Sequence, residues 1–358
     1  MLLDKDSEQF LEDLLITPSP TGFEKAGQQV WIDYVKKIAD RVDTDAYGSA
    51  AAHLSVAQDA MTVMIEAHCD EIGMIVQHID DSGFVYVNRV GGSDPGIARA
   101  RKVYIHSREG IVSGVIGHTA IHLQDRDNSK LPKWKDLFID IGANNREEAL
   151  HMITVGDPVT IAEQFDYLSD EIITGRALDN RIGGFVIANT IKKLNERRTE
   201  LKVNVIALNA VQEEVGGFGA RMMAYRYEPD VAIVTDVTHA TDSPGIDHRE
   251  HGLVKLGKGP VISHGGANHP GVTKYVEQIS MKAGIELQHE ASGSRTGTDT
   301  DSIFYQKHGI PSGLISLPLR YMHSPVEMAS LPDVNLLTEL FTEIVLGLKK
   351  KQSFKLFK

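Results

Sequence analysis

One cysteine, Cys69, stands in 358 residues, so the chain has no partner for an intrachain disulfide and cannot build a Cys-rich zinc module. No apolar run approaches the roughly 18 residues that span a bilayer. Met1 to Asp13 is acidic and amphipathic, unlike a signal peptide. A soluble, cytoplasmic protein without a membrane partner is the expectation. Basic residues are in deficit, 37 against 49 acidic, and the formal charge of −12 argues against a nucleic-acid partner. Internal repeats and low-complexity tracts are missing too. What is present is a globular composition, 42% apolar and 24% charged with 32 glycines, in a chain long enough for one large domain or two smaller ones. The lysine-rich tail from Lys349 to Lys358 reads as a frayed, solvated end.

The pattern divides the chain. Residues 7–39 carry helical spacing (Phe10, Leu11, Leu14, Leu15, then Val30, Trp31, Tyr34, Val35, Ile38), broken at Thr17-Pro18-Ser19-Pro20-Thr21-Gly22. An Ala-rich strand near residue 52 and the strand Thr62 to Ala67 follow, the latter running into His68-Cys69-Asp70. From Met74 to Ala162 short alternating runs are separated by turn signals, with one short helix near Arg146 to His151. That texture predicts a small β-barrel-like module inserted into a larger domain. The main domain resumes with Gly175 to Arg181 and a buried helix over Ile182 to Ile191, where Asp179 has the position of a capping aspartate. Apolar strands then lead into Glu213-Glu214, into Asp236 and, through Ser312 to Leu317, towards His323; Ile285 to His289 reads as a strand and Asp333 to Lys349 as the last helix.

Outside the insert, strands and helices alternate, which implies a mixed, largely parallel sheet sandwiched by helices. In such sheets ligands bind beyond the carboxyl ends of the strands. His68, Glu213, Glu214 and Asp236 each follow an apolar strand there, His323 follows one by a short loop, and Asp179 begins a helix that can reach the same edge. Two histidines and three carboxylates form a mixed nitrogen and oxygen set suited to Zn²⁺, Co²⁺ or Mn²⁺, enough for two ions if one carboxylate bridges. A spare glutamate would then be a base. On extended backbone His68 and Asp70 share a face while Cys69 points away as a small buried residue. His118 and His122 lack a helical pattern between them and read as loop histidines.

The motifs Ala67-His68-Cys69-Asp70-Glu71-Ile72-Gly73, Gly175 to Arg181, Gln212-Glu213-Glu214-Val215-Gly216, Gly297-Thr298-Asp299 and Tyr321 to Glu327, in this order with Asp236 between, resemble those of the M42 metallo-aminopeptidases. The resemblance spans nearly the whole chain. It implies a zinc-peptidase type of fold, with residues 1–72 and 164–358 as a discontinuous catalytic domain and 73–163 as an inserted β-rich dimerisation domain. It implies two divalent ions per subunit, Zn²⁺ or Co²⁺ by preference: His68 and Asp236 on one, Glu214 and His323 on the other, with Asp179 bridging. Asp70 would orient His68, and Glu213 would be the general base on a metal-bridging water that attacks the first peptide bond of short peptides. Self-association as dimers and further into a dodecamer is implied as well. Arg295 and Thr298 fall near the expected side-chain pocket, where a cationic Arg295 would favour acidic N-terminal residues and a solvated surface arginine fits equally. A related two-metal deacylase or carboxypeptidase, or a metal-stabilised scaffold without catalysis, are the competing readings.

Overall fold

The computed structural model describes residues 3–123, 131–162 and 165–357. The expected return from the insert at residues 163 and 164 lies outside them. The apolar runs build a nine-stranded sheet, ordered Arg41–Thr44, Ala50–Leu54, Asn204–Ala210, Thr62–His68, Val231–Val234, Ser312–Leu319, Val261–Gly265 and Gln288–Ser292, with Val237–His239 pairing beside the end of Ser312–Leu319. The four central strands, Asn204–Ala210 through Ser312–Leu319, are mutually parallel. Antiparallel pairing enters on both flanks. Continuous burial of the central strands matches their predominantly apolar content, because both faces of a parallel sheet are covered.

Alternation along Thr62–His68 distributes its side chains between two cores. Val63, Ile65 and Ala67 pack with Leu11, Leu14, Phe185 and Phe341, from helices Lys5–Ile16, Leu178–Glu196 and Leu331–Gly347. Met64 faces the opposite side with Ala220 and Met223 of helix Phe218–Tyr227. Each of the large side chains so enclosed contributes roughly 1.5–3 kcal/mol. The insert folds as a closed antiparallel barrel of Gly73–Ile79, Val85–Val90, Lys102–Ser107, Gly110–Ile116, Ile139–Asp140 and Pro158–Ile161 around its own core of Met74, Val85, Val103, Ile105 and Val159.

Several boundaries differ from the sequence expectation for local reasons. The Ser93-Asp94-Pro95-Gly96 turn is the start of a second short helix in the insert, Pro95–Ala98, because Asp94 caps the Gly96 N–H and proline occupies the first turn. The strand expected from Ile285 begins at Gln288, because the Ile285 N–H is drawn back to the Ser280 carbonyl around Gly284 in the left-handed region. The tail is not simply frayed: Phe354 is buried, with its ring 5.8 Å from that of Tyr275, and the Lys350 carbonyl accepts the Met61 N–H.

The Pro-rich break after the first helix is held by charge. Glu71 is buried and accepts the Ser19 N–H at 2.6 Å, while Arg181 reaches it at 2.5 Å and Arg176 also pairs with it. Arg181, itself fully buried, donates to the carbonyls of Leu14 and Thr17. Burial alone would raise the Glu71 carboxyl, but the two guanidiniums outweigh it and hold it at about 2. Its contribution to stability is therefore present above the ordinary glutamate range and is lost as pH falls towards 2; the shift corresponds to about 3 kcal/mol. Glu71→Gln leaves Arg181 buried without its counter-charge, and a loss of about 3–5 kcal/mol is expected at neutral pH. Denaturant midpoints should show that gap narrowing as pH is lowered from about 4.5 to 2; a gap independent of pH would contradict the ion-pair account.

Candidate functional site

The carboxyl ends of the four parallel strands open on one edge, and the expected side chains meet there. His68 ends Thr62–His68, Glu213 and Glu214 lie just past Asn204–Ala210, Asp236 two residues past Val231–Val234, and His323 four past Ser312–Leu319. Asp179 stands in the first turn of Leu178–Glu196, but its side chain does not cap that helix. One of its oxygens lies 3.3 Å from His68 Nε2 and the other 3.3 Å from His323 Nε2. Asp236 Oδ1 is 3.6 Å from the same nitrogen of His68, and Glu214 Oε2 is 3.6 Å from His323 Nε2. Two trios result, His68–Asp179–Asp236 and Asp179–Glu214–His323, each offering ligand atoms within 4.8 Å of one another. Glu213 belongs to neither, with Oε2 3.9 Å from His68 Nε2. His118, in a loop, and His122, in the short turn Ile121–Leu123, are both exposed and belong to neither trio.

Partners behind the imidazoles decide which nitrogen faces the site. His68 Nδ1 lies 3.2 Å from the Asp70 carbonyl and 3.4 Å from its carboxylate, so Nδ1 carries a hydrogen and Nε2 is the nitrogen turned to the site. His323 Nδ1 turns to the insert: it bonds the backbone of Gly92, and a β-carbon at Gly92 would lie 2.3 Å from it. Only glycine lets the barrel approach this closely. Asp70 also accepts the N–H groups of Glu213 at 3.0 Å and Glu214 at 3.2 Å and the Thr21 hydroxyl at 2.8 Å. Past the glutamates, Gly217 has φ +66°, and a β-carbon there would collide with Ser302 and Asp299.

Three supporting carboxyls carried no role in the sequence reading. Glu327 is buried in the small sheet of Asp166–Tyr167, Ile172–Gly175 and Glu327–Ser330, opposite Gly175, and accepts the N–H of Asp179 at 3.1 Å and of His323 at 2.8 Å. It thus fixes the backbone of residues from both trios. Glu66, on the same strand face as His68, and Asp299 are both buried, and among the described residues none of their four oxygens has a hydrogen-bond partner. Burial pushes the Glu66 carboxyl up to about 8, and burial together with the charge of Glu66 raises Asp299 as well. The signal for Glu66 was an acid at a core position of an apolar strand; for Glu327 it was only proximity to His323.

Electrostatically the site is a store of carboxylates. Burial, with the charges of Asp236, Asp299 and Asp70, holds Glu213 well above the usual carboxylate range; burial and Asp179 do the same for Glu214, and burial raises Asp236. Asp179 shifts down, since His323 and His68 at its two oxygens overcome its burial. Asp179 raises His323, and Asp179, Asp236 and Asp70 raise His68 against its burial. Such a donor set, with imidazole nitrogens aimed inward, is suited to borderline divalent cations.

The profile of the M42 glutamyl aminopeptidase family matches residues 48–340. The chain belongs to the M42 family of aminopeptidases, and so to the peptide-bond hydrolases. Among its relatives is the lysyl aminopeptidase of Pyrococcus furiosus, 32% identical over 331 residues that cover 91% of this chain and 93% of that one. Among solved structures, a TET aminopeptidase from a marine sediment Thaumarchaeota archaeon superposes with a TM-score of 0.91 at 31% identity, covering 96% and 97% of the two chains. The TET1 peptidase of Pyrococcus horikoshii, described as assembling into a tetrahedron or a large octahedral shell, gives a TM-score of 0.85 at 31% identity over 96% of this chain and all of that one. The M42 chain's fold is thus of the zinc-peptidase type.

Glu327→Gln keeps an acceptor for one N–H but turns an amide donor towards the other. Retention of divalent cation by the purified protein is expected to weaken by about 10–100-fold, read by competition with a chelator, with a stability loss of about 1–3 kcal/mol from the buried N–H left unsatisfied. Unchanged retention would show that Glu327 does not position the trios.

Proposed function

We propose that this chain is a two-metal aminopeptidase that removes the N-terminal residue from short peptides. The observation that carries the reading is Asp179 offering one oxygen to each of two imidazoles, each accompanied by its own carboxylate, with Glu213 left outside both trios. His68, Asp179 and Asp236 would hold one ion and Asp179, Glu214 and His323 the other. The donor set favours Zn²⁺ or Co²⁺. The ions would supply Lewis-acid polarisation of the carbonyl, acidification of water and a hold on the free amine.

In this reading the chain's own groups do the following. Glu213 takes a proton from the attacking water and returns it to the leaving amine. Asp70 fixes Glu213 through the backbone and His68 through Nδ1. Glu327 keeps Asp179 and His323 in register, and the insert closes over His323 through Gly92.

The family description names glutamate and the Pyrococcus furiosus relative is named for lysine, so preference must come from the pocket. A cavity of about 680 Å³ beside the trios is lined by Arg221, Arg295, Thr238, Thr298 and Tyr305. Its one further acid, Asp301, already accepts the N–H groups of Thr296 and Gly297. Two guanidiniums facing the substrate side support acidic N-terminal residues as the favoured class.

A panel of acidic, apolar and basic free-amine aminoacyl amides tests these points together. Chelator-sensitive hydrolysis with the acidic amides fastest is expected. Glu213→Gln should lower turnover by about 10²–10⁴-fold while metal content is kept. Arg221→Ala with Arg295→Ala should lower the acidic preference about tenfold, the loss of a charged hydrogen bond. Near-normal turnover in Glu213→Gln would remove the base assignment, and activity confined to N-blocked substrates would replace the aminopeptidase with a deacylase.

The division into residues 1–72 with 164–358, and an insert of 73–163 that pairs two chains, belongs to the same proposal. It draws support from the barrel's separate core and from the assemblies described for the TET1 peptidase. Dimers are taken to assemble further into dodecamers. Sedimentation should give a mass of about twelve chains for the intact protein, and about one chain would refute it.

A further inference from the structure

His264, Glu277 and His289 come together on the helix-covered side of the sheet's far flank. His264 lies on Val261–Gly265, His289 on the edge strand Gln288–Ser292, and Glu277 on helix Pro270–Ala283, which packs against the first of these strands. In the parallel register Ile262 is opposite His289, so His264, two residues on, projects from the same face. The rings stack with centroids 5.3 Å apart and planes within 13°, and His264 Nε2 is 3.0 Å from His289 Nδ1. A carboxylate oxygen of Glu277 completes a trio whose ligand atoms all lie within 4.8 Å of one another. Val261–Gly265 runs antiparallel to Ser312–Leu319, which carries His264 away from the edge where His68 and His323 meet. The trio shares no residue with the site described above.

We propose that His264, Glu277 and His289 form a third divalent-metal site, for a borderline transition ion such as Zn²⁺, Ni²⁺ or Cu²⁺, separate from catalysis. Two imidazoles and one carboxylate suit these ions and are poor for Mg²⁺ or Ca²⁺, which call for oxygen donors. Tetrahedral nitrogen ligands roughly 2.0–2.1 Å from an ion stand roughly 3.3 Å apart, so the rings need to separate by only a few tenths of an ångström. The half-exposed setting leaves room for water at the remaining position. Without an ion the same nitrogens share one proton in a hydrogen bond, which the ion displaces. An ion there ties the edge strand, its neighbour and the covering helix together, so the site acts as a clasp on a strand with only one sheet neighbour, and that strand continues into the loop bearing Arg295.

The test uses the full-length protein stripped of metal and dialysed against Zn²⁺ alone, with ions per chain measured for the wild type, His264→Ala/His289→Ala and the exposed single variant His289→Ala. One ion fewer per chain in both variants, with turnover on an aminoacyl amide unchanged, is the expected result. Glu277→Gln should bind that ion at least about tenfold more weakly, since losing even an outer partner has that effect. Equal Zn²⁺ content and affinity in wild type and variants would overturn the proposal and leave a histidine pair that shares a proton. Loss of the ion together with turnover would also overturn it, by showing that these residues act on the catalytic centre.

Discussion

The buried Asp70 carboxylate is the tie on which the site depends. It sits just beyond the end of one central strand and accepts two successive N–H groups from the turn beyond the next, while its carbonyl sets the tautomer of His68. A charged acceptor inside a protein is costly unless its lone pairs are occupied, and here Thr21 completes the set. Three separate segments, the Pro-rich break, the strand end and the glutamate turn, are therefore held at one point. Moving any of them would leave a buried charge unsatisfied, a penalty that keeps the site rigid.

Next to that tie the chain carries its compensating charge in an unusual place. Arg176 and Arg181 neutralise Glu71 rather than the carboxylates of the two trios. The result is a separation: a closed ion cluster of two guanidiniums on one carboxylate that fastens the first helix to the sheet edge, and an acid-rich site whose trios pair with imidazoles. Supporting carboxyls are treated in two further ways. Glu327 is consumed by backbone donors, while Glu66 and Asp299 are buried without such donors and burial raises both carboxyls.

The barrel does more than decorate the main domain. Gly92 brings its backbone against His323, so one imidazole of the pair is oriented by the insert and the other by the main domain. The two halves of the chain are thereby coupled at the site itself, and a displacement of the barrel would reach the second trio before the first.

Much of this was legible in the residues. Predominantly apolar strands ending in His68, Glu213, Asp236 and, through a loop, His323 imply a parallel sheet, and a parallel sheet puts all its strand ends of one kind on one edge. That is a topological consequence, which is why the seven expected residues, Asp70 and Asp179 included, converge in the fold. Period-two alternation with turn signals likewise separated the barrel from the rest. What the sequence could not supply is anything set by contacts across distance. Asp179 has the pattern of a helix cap, and only the approach of two histidines from residues 68 and 323 makes its two oxygens face opposite ways. Glu66 reads as an anomaly in a buried strand until Asp299 lies beside it. Glu327 closes a motif without a role of its own there, and Gly92 and the His264–His289 pair show none of theirs, because hydrogen bonds, close approaches and diagonal neighbours depend on register and packing, which the order of residues alone does not state.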